Sequence, residues 1–379
     1  MGASTRVVVV GGGIVAASVA YHLTREGASV IVVEADWPGS ATSAGAGIIC
    51  PWTDRGDHPF YRLSAEGARY YPELLAMLAE DGRRETSYAK VGALCVATDM
   101  DRLNSIAALL RARQAGTPEI GDVEVVGPGE PRGRFPLLGA DLAGVWISGG
   151  ARIDGRVMRD TLLRAAAANG ARRMRGMAVL EHEAGRVTGV SVGSDRYDAD
   201  TVVVAAGAWT PQACADLGWR LPIEPQRGQI LHAELPGADT ASWPVILPPE
   251  DPYLLGFPRG RIVFGATRED VGFDYRATVG GVGAMLSAAA EIAPGLTEAT
   301  LVETRIGFRP ATSDGRPLIG LLGDGLVVAA GHGPEGLTAG PWTGRAAAAL
   351  ALGQEPQADL SDFDPARFET DATLPAAGG

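Results

Sequence analysis

A two-domain α/β protein is what this sequence predicts, on three grounds. The chain opens with β-branched runs flanking a small-residue helical stretch, so that strand, glycine turn, helix and second strand follow one another. Its 379 residues, 46% hydrophobic and 21% charged, are enough to build more than one core. Later segments rich in short strands and prolines point to a second domain with a mixed or antiparallel sheet.

Taken in order, the first strand covers Arg6 to Val10, the helix Ile14 to Arg25 and the second strand Ser29 to Glu34. Helices are expected from Tyr61 to Ala79 and from Asp101 to Ala115, with a strand from Val91 to Thr98 between them. Asp154 is a candidate N-cap for an Ala- and Leu-rich helix over Ile153 to Asn169, closed by Gly170. Short strands then lead to Thr201-Val-Val-Val-Ala-Ala-Gly207. From Pro222 to Thr304 come strands at Gln229 to Glu234 and Arg261 to Gly265 and a helix at Val282 to Ile292. A strand at Leu326 to Ala330, a helix from Leu337 to Leu350 and a Pro- and Ala-rich tail expected to fray complete the chain. The pattern divides into a first domain from 1–85, 150–220 and 305–379 and a second from 86–149 and 221–304, without internal repeats.

A net charge of −12 and the lack of a basic run with interleaved aromatics argue against nucleic acid as a partner. Three cysteines, Cys50, Cys95 and Cys214, are too few and scattered for a disulfide framework and form no metal-ligand spacing with the five histidines, which fits a reducing cytoplasm. The apolar run from Val7 to Ala20 resembles a signal-peptide core, but Gly11, Gly12 and Gly13 interrupt it. No stretch approaches the roughly 18 apolar residues of a membrane span, so no integral membrane contact is expected. A homo-oligomer remains open.

Gly11-Gly12-Gly13-Ile14-Val15-Ala16, directly after the first strand, is the G-x-G-x-x-A form of the dinucleotide fingerprint and makes the first domain Rossmann-like. Gly11 permits the tight turn, Gly13 leaves room for a pyrophosphate, and Ala16 lets helix and strand approach. The free amides of the helix start then face the phosphates. Glu34, ending the second strand, is placed to accept hydrogen bonds from a ribose diol. The later run from Tyr197 to Trp209, a strand entering a small-residue turn, favours FAD over NAD, because the longer cofactor needs a second stretch of backbone beside its diphosphate and ribityl chain. An NAD-dependent dehydrogenase would leave that return unexplained.

Val7 to Glu34, Ser40 to Pro51, Ala199 to Trp209, Pro225 to Gln229 (PQRGQ), Gly307 to Gly320 (GFRPATSDGRPLIG) and Gly331 to Gly344 together resemble the D-amino-acid oxidase and glycine oxidase family of FAD-dependent amine oxidoreductases, in family order over almost the whole chain. The resemblance implies that Arg309 binds the substrate carboxylate, for which a planar two-pronged guanidinium is suited. It places Tyr253 in the active site, as a hydrogen-bond donor or else a core residue. It also places Gly331, His332, Gly333, Gly336, Leu337 and Thr338 against the flavin pyrimidine ring, where helix-start amides stabilise negative charge. His332 serves there by backbone contact or stands near substrate. Gly11, Gly13, Ile14, Val15, Glu34, Ala35, Thr42, Ser43, Ala44, Ala46, Gly47, Val179, Ala206, Gly207, Trp209 and Gly307 are the other expected cofactor contacts. The flavin is expected to be held without a covalent bond.

Two positions depart from glycine oxidase: Pro334 stands where an arginine is common, and Arg268 where a methionine is common. Arg268 is either a second cation of the pocket or a solvated partner of Glu269 or Asp270. Trp52 is a candidate for the pocket wall or the core, and the remaining histidines, His22, His58, His182 and His232, are expected to be structural. The implied reaction is oxidative deamination of a small amino acid or amine by transfer of the α-hydrogen as hydride to flavin N5, with oxygen or another electron acceptor reoxidising the flavin. A 2-hydroxy-acid oxidase would need a base such as histidine. A non-enzymatic nucleotide-binding module is the remaining alternative. No H-E-x-x-H, nucleophile elbow or P-loop occurs, and no metal is expected.

Overall fold

The computed structural model describes residues 4–250 and 252–368. Strand β1 (Arg6–Val10) is buried at four of its five positions, as a strand covered on both faces must be. It lies inside a six-stranded sheet ordered Leu318–Gly323, Leu326–Ala330, Thr201–Val204, β1, β2 (Ser29–Glu34), Arg172–Arg175. Every pair is parallel except the first. Alternation along β1 feeds two cores. Val7 and Val9 pack with α1 (Ile14–Arg25) and the helices Gly155–Ala168 and Gly336–Ala351. Val8 and Val10 pack with the three-stranded sheet that carries Leu180, Val187 and Val190.

The helix layer is pulled tight by glycine. A Cβ on Gly344 of the last helix would lie 2.4 Å from Ser18 Cβ of α1, and one on Gly340 would lie 3.0 Å from Ile14 Cγ2. Within the same helix Pro341 has no N–H for the carbonyl of Leu337, four residues back. The hydroxyl of Tyr71, on the neighbouring helix Pro59–Glu80, donates to that carbonyl instead. The start of the last helix is thereby held although its own ladder is broken.

The second sheet has eight strands, ordered Thr300–Thr312, Ile223–Glu234, Arg261–Gly265, Tyr253–Gly256, Val245–Leu247, Ala93–Ala97, Ala143–Ile147, Val123–Val126. Its pairs are antiparallel apart from Val245–Leu247 beside Ala93–Ala97, so the sheet is mixed. The α/β architecture with a Rossmann-like sheet and a second, mixed sheet is the expected one.

Several elements run longer than expected. The strand expected from Gln229 starts at Ile223, because Pro225 stands opposite Pro310 and the two missing N–H groups fall on one rung of the ladder. The helices expected from Val282 and Leu337 start at Val279 and Gly336, where glycine-rich sequence hid the first turn. Asp154 caps its helix as expected, accepting from the Arg156 N–H at 3.1 Å. Residues 369–379 of the Pro- and Ala-rich tail lie outside the described residues.

Candidate active site

A cavity of about 550 Å³ runs from the carboxyl end of β2, past the β1–α1 turn, to the strands of the mixed sheet. The turn is shaped by backbone limits. Gly11 sits at φ +126°, and a Cβ there would be 2.3 Å from the Ala205 carbonyl oxygen. Gly12, which the fingerprint leaves open, is equally constrained: its Cβ would fall 2.0 Å from the carboxyl carbon of Glu34. The helix-start N–H of Ile14 donates to Thr42 Oγ1 at 3.0 Å, which ties the segment after β2 to the turn.

Glu34 lines the cavity where β2 ends, and Arg173 donates to its Oε2 at 3.2 Å. Across from it, Gly207 at φ +59° and Gly333 at φ +49° also line the wall, and a Cβ on either would meet no protein atom within 4 Å. A carboxylate for a ribose, open glycine backbone and a helix start on one continuous cavity form a donor and acceptor set that fits a dinucleotide as long as FAD.

At the other end, the pairing of Ile223–Glu234 with Thr300–Thr312 sets Arg309 opposite Gln226 and Gly307 opposite Gly228. Arg309 lines the cavity, and its Nη1 donates to the Thr267 carbonyl at 2.9 Å. Gly228 lies against the guanidinium: a Cβ there would be 2.8 Å from both of its η nitrogens. Tyr253, opposite Gly265 in the ladder, lines the same wall half-buried, and exposed Arg268 lines it one residue after the carbonyl that holds Arg309. His332 is buried, with Nε2 2.9 Å from Thr343 Oγ1, and burial pushes its ring down to about 4, so it is neutral near pH 7. Burial likewise pushes the Glu335 carboxyl above the ordinary glutamate range and the Cys50 thiol well above its own.

Most of the residues singled out from the sequence meet at this cavity: Gly11, Gly13, Ile14, Val15, Glu34, Ala35, Thr42, Ala44, Ala46, Gly47, Val179, Ala206, Gly207, Trp209, Tyr253, Arg268, Gly307, Arg309, His332, Gly333, Gly336 and Leu337. Ser43, Gly331 and Thr338 do not line it. Ser43 Oγ accepts from Arg159 Nη1 at 3.0 Å, Thr338 Oγ1 donates to the Ile48 carbonyl at 3.1 Å, and Gly331 packs towards Thr312, whose Cγ2 would lie 2.6 Å from a Cβ there. Trp52 belongs to the core. The Glu269 carboxylate, next to Arg268 in sequence, is engaged by Arg227, Gln229 and Thr267.

Sequence reasoning passed over Trp37, Met177, Phe308 and Glu335, which also line the cavity. Phe308 lies between two residues that were singled out, and Met177 lies two before Val179. Strand alternation argues against Phe308, whose two neighbours are the expected contacts, and Met177 precedes its strand, so adjacency in the chain was the one available signal.

The long cavity, with dinucleotide chemistry at one end and a guanidinium at the other, defines a flavin-dependent oxidoreductase. The model of the FAD-dependent oxidoreductase family (DAO) matches residues 6–350. The chain belongs to that family, and its cofactor is FAD. An iminodiacetate oxidase from Chelativorans sp. BNC1 has a structure similar to it at TM-score 0.92, with 44% identity over 95% of this chain and 99% of that one. The glycine oxidase of Geobacillus kaustophilus is 29% identical over 369 residues, 94% of this chain and 95% of that protein, and its structure superposes at TM-score 0.85. An uncharacterised oxidoreductase of Bacillus subtilis, YurR, is 44% identical over 364 residues, 95% of this chain and 98% of that protein. Among the described residues no helix is long and apolar enough to cross a membrane, and no group of three or more His, Cys, Asp or Glu could hold a metal ion.

Proposed function

We propose that the enzyme oxidises the amine of a small amino acid whose carboxylate is held by Arg309, and that its preferred substrates are N-carboxyalkyl glycines whose second carboxylate meets Arg268. The observation that carries this reading is the adjacency of the two arginines: both line one cavity, and Arg309 is bonded to the carbonyl of the residue before Arg268. The similarity to an iminodiacetate oxidase supports it. The segments 1–85, 150–220 and 305–379 hold the cofactor in this reading, and 86–149 and 221–304 cover the substrate.

FAD, when bound, supplies the two-electron acceptor for the α-hydrogen and its electron pair. The chain's own residues orient and desolvate the substrate. Arg309 fixes the carboxylate through its two η nitrogens, which sets the adjoining α-carbon, and the Tyr253 phenol offers a hydrogen bond to carboxylate or amine. Because burial favours the uncharged form of Glu335, that side chain opposes a dianionic substrate less than an ordinary carboxylate would. The amine lone pair forms the C=N bond as the C–H pair leaves, the amine proton passes to solvent, and water then splits the imine into a 2-oxo acid and an amine. No base at the α-carbon is needed. His332, whose Nε2 is engaged with Thr343, is not held as the free base a 2-hydroxy acid would require, which favours the amine.

The test compares iminodiacetate with sarcosine in the wild type and in Arg268→Ala. A lost charge-assisted contact of about 1.5–3 kcal/mol lowers kcat/KM for iminodiacetate by at least about tenfold, while sarcosine changes by less than about threefold. Equal effects on both substrates refute the role given to Arg268. Air readmitted after anaerobic reduction separates an oxidase, which forms hydrogen peroxide, from a dehydrogenase.

A further inference from the structure

Between strand Arg261–Gly265 and helix Val279–Ile292 the chain crosses the substrate end of the cavity as a loop, 266–278, with one β-bridge, Arg227 to Glu269. Ordering such a loop costs about 1–2 kcal/mol per residue in backbone entropy, so it must be tied down. Two side chains of the PQRGQ stretch do so. Arg227, only 3% exposed, reaches Glu269 Oε2 at 2.5 Å and Asp274 Oδ2 at 2.9 Å, and donates to the Asp274 carbonyl at 3.1 Å. Its backbone N–H and carbonyl also pair with those of Glu269, at 2.9 and 3.0 Å. Gln229 donates to Glu269 Oε1 at 2.7 Å and accepts from the Thr278 N–H at 2.9 Å, and Thr267 Oγ1 donates to the same Glu269 oxygen at 2.6 Å.

The loop therefore has fixed points at 267, 269, 274 and 278, and of its residues Arg268 lines the cavity. Arg268 lies between the first two. The Thr267 carbonyl receives Arg309 Nη1. Phe273 stacks on Trp209, with centroids 5.0 Å apart and planes at 18°, and Trp209 lines the cavity.

We propose that the cluster of buried Arg227 with half-buried Glu269 and Asp274 is the positioning device of the carboxylate site: it fixes Thr267 and Arg268, and through the Thr267 carbonyl it fixes the guanidinium of Arg309. This rests on reading those two arginines as carboxylate anchors. Arg227 and Glu269 are positioning residues, acting through the arginines rather than on substrate. Arginine suits the task because one planar fork spans two carboxylates, and loss of either carboxylate leaves the buried Arg227 charge less compensated.

The experiment uses flavin-loaded, full-length wild type, Glu269→Gln and Asp274→Asn. Oxydiacetate, with two carboxylates and no oxidisable amine, is titrated against the flavin spectrum, and KM and kcat are measured with the amine the wild type oxidises. In Glu269→Gln the Kd for oxydiacetate and the KM rise together by about tenfold, with flavin content unchanged and kcat at saturation within about threefold, because anchors that are loosened rather than pushed aside bind ground state and transition state less tightly alike. Asp274→Asn weakens the outer ion pair and the exposed pair with Arg276, leaves the bond from Arg227 to the residue-274 carbonyl, and raises Kd by about threefold; it decides the matter if Glu269→Gln does not fold. Unchanged Kd in the folded variants, or a fall in kcat without a change in Kd, overturns the proposal. A wild type that neither binds oxydiacetate nor is reduced by any amino acid overturns the underlying reading, and is distinguishable because it appears before any variant is made.

Discussion

Gly228→Ala is a small change placed directly against the residue assigned to the substrate carboxylate. The new methyl would stand 2.8 Å from both η nitrogens of Arg309, whereas ordinary van der Waals contact begins at 3.4 Å, so the guanidinium must retreat by about 0.6 Å. It cannot retreat freely, since Nη1 is bonded to the Thr267 carbonyl at 2.9 Å. A displacement approaching 1 Å at a group that sets the near-attack geometry costs up to about a hundredfold, and we expect kcat/KM to fall by about 10- to 100-fold, or about 1.4–2.7 kcal/mol. Gly228 has no left-handed φ, so the backbone is not strained by alanine, and flavin content should equal that of the wild type. The assay is steady-state oxidation of the preferred amine, with flavin-to-protein ratio measured on the same sample. A kcat/KM within about threefold of wild type, at full flavin content, would refute the placement of Arg309 as carboxylate anchor.

Arg309→Lys keeps the charge but loses the fork, and should raise KM for every carboxylate substrate by at least about tenfold; steady-state kinetics check it. Gly11→Ala faces both φ +126° and a 2.3 Å approach to the Ala205 carbonyl, so the purified variant should carry little flavin, and a normal flavin-to-protein ratio would contradict the turn geometry. Tyr71→Phe leaves the Leu337 carbonyl without its donor and should cost about 1–3 kcal/mol, read as a lower Tm. Acid should destabilise the fold in two windows. His22, His232 and His332 are pushed by burial to about 4, 3 and 4 from 6.5. Their folded values are depressed, so no penalty exists above pH 6.5; it grows as pH falls towards those values, reaching about 2 kcal/mol each at pH 5. Burial works against ionisation of Glu269, but the hydrogen bonds from Arg227, Gln229 and Thr267 outweigh it and hold the carboxyl at about 2, so its contribution is present above 4.5 and is lost as pH falls from there to 2. Thermal unfolding of the flavin-loaded protein at pH 7.5, 6 and 5 checks the first window, and a Tm that does not fall across it excludes the histidine account.

The parts of this fold that were legible in the sequence are those fixed by local physics. The β1–α1–β2 unit was readable because β-branched strands, three glycines and a small-residue helix each state one conformation, and Glu34 then falls at a strand end of its own accord. The strand Arg261–Gly265 and the helix cap at Asp154 were readable for the same reason. What escaped notice depends on contacts distant in the chain. Gly12 looks unconstrained until the Glu34 carboxylate is set beside it. Thr338 and Ser43 occupy the right segments, yet their hydroxyls bond to Ile48 and Arg159 behind the wall, a choice of direction that no spacing encodes. Arg227 reads as an ordinary surface cation of PQRGQ until the loop 266–278 folds over it.

Amine oxidation by the bound flavin is measured by mixing the purified, flavin-loaded protein without oxygen with iminodiacetate, sarcosine, glycine, proline, D- and L-amino acids and 2-hydroxy acids, and following the visible flavin band. Bleaching by an amino acid is expected, most efficiently by one with a second carboxylate on nitrogen, with formation of the matching 2-oxo acid. A protein that takes up no FAD, or one bleached by hydroxy acids alone, would contradict it.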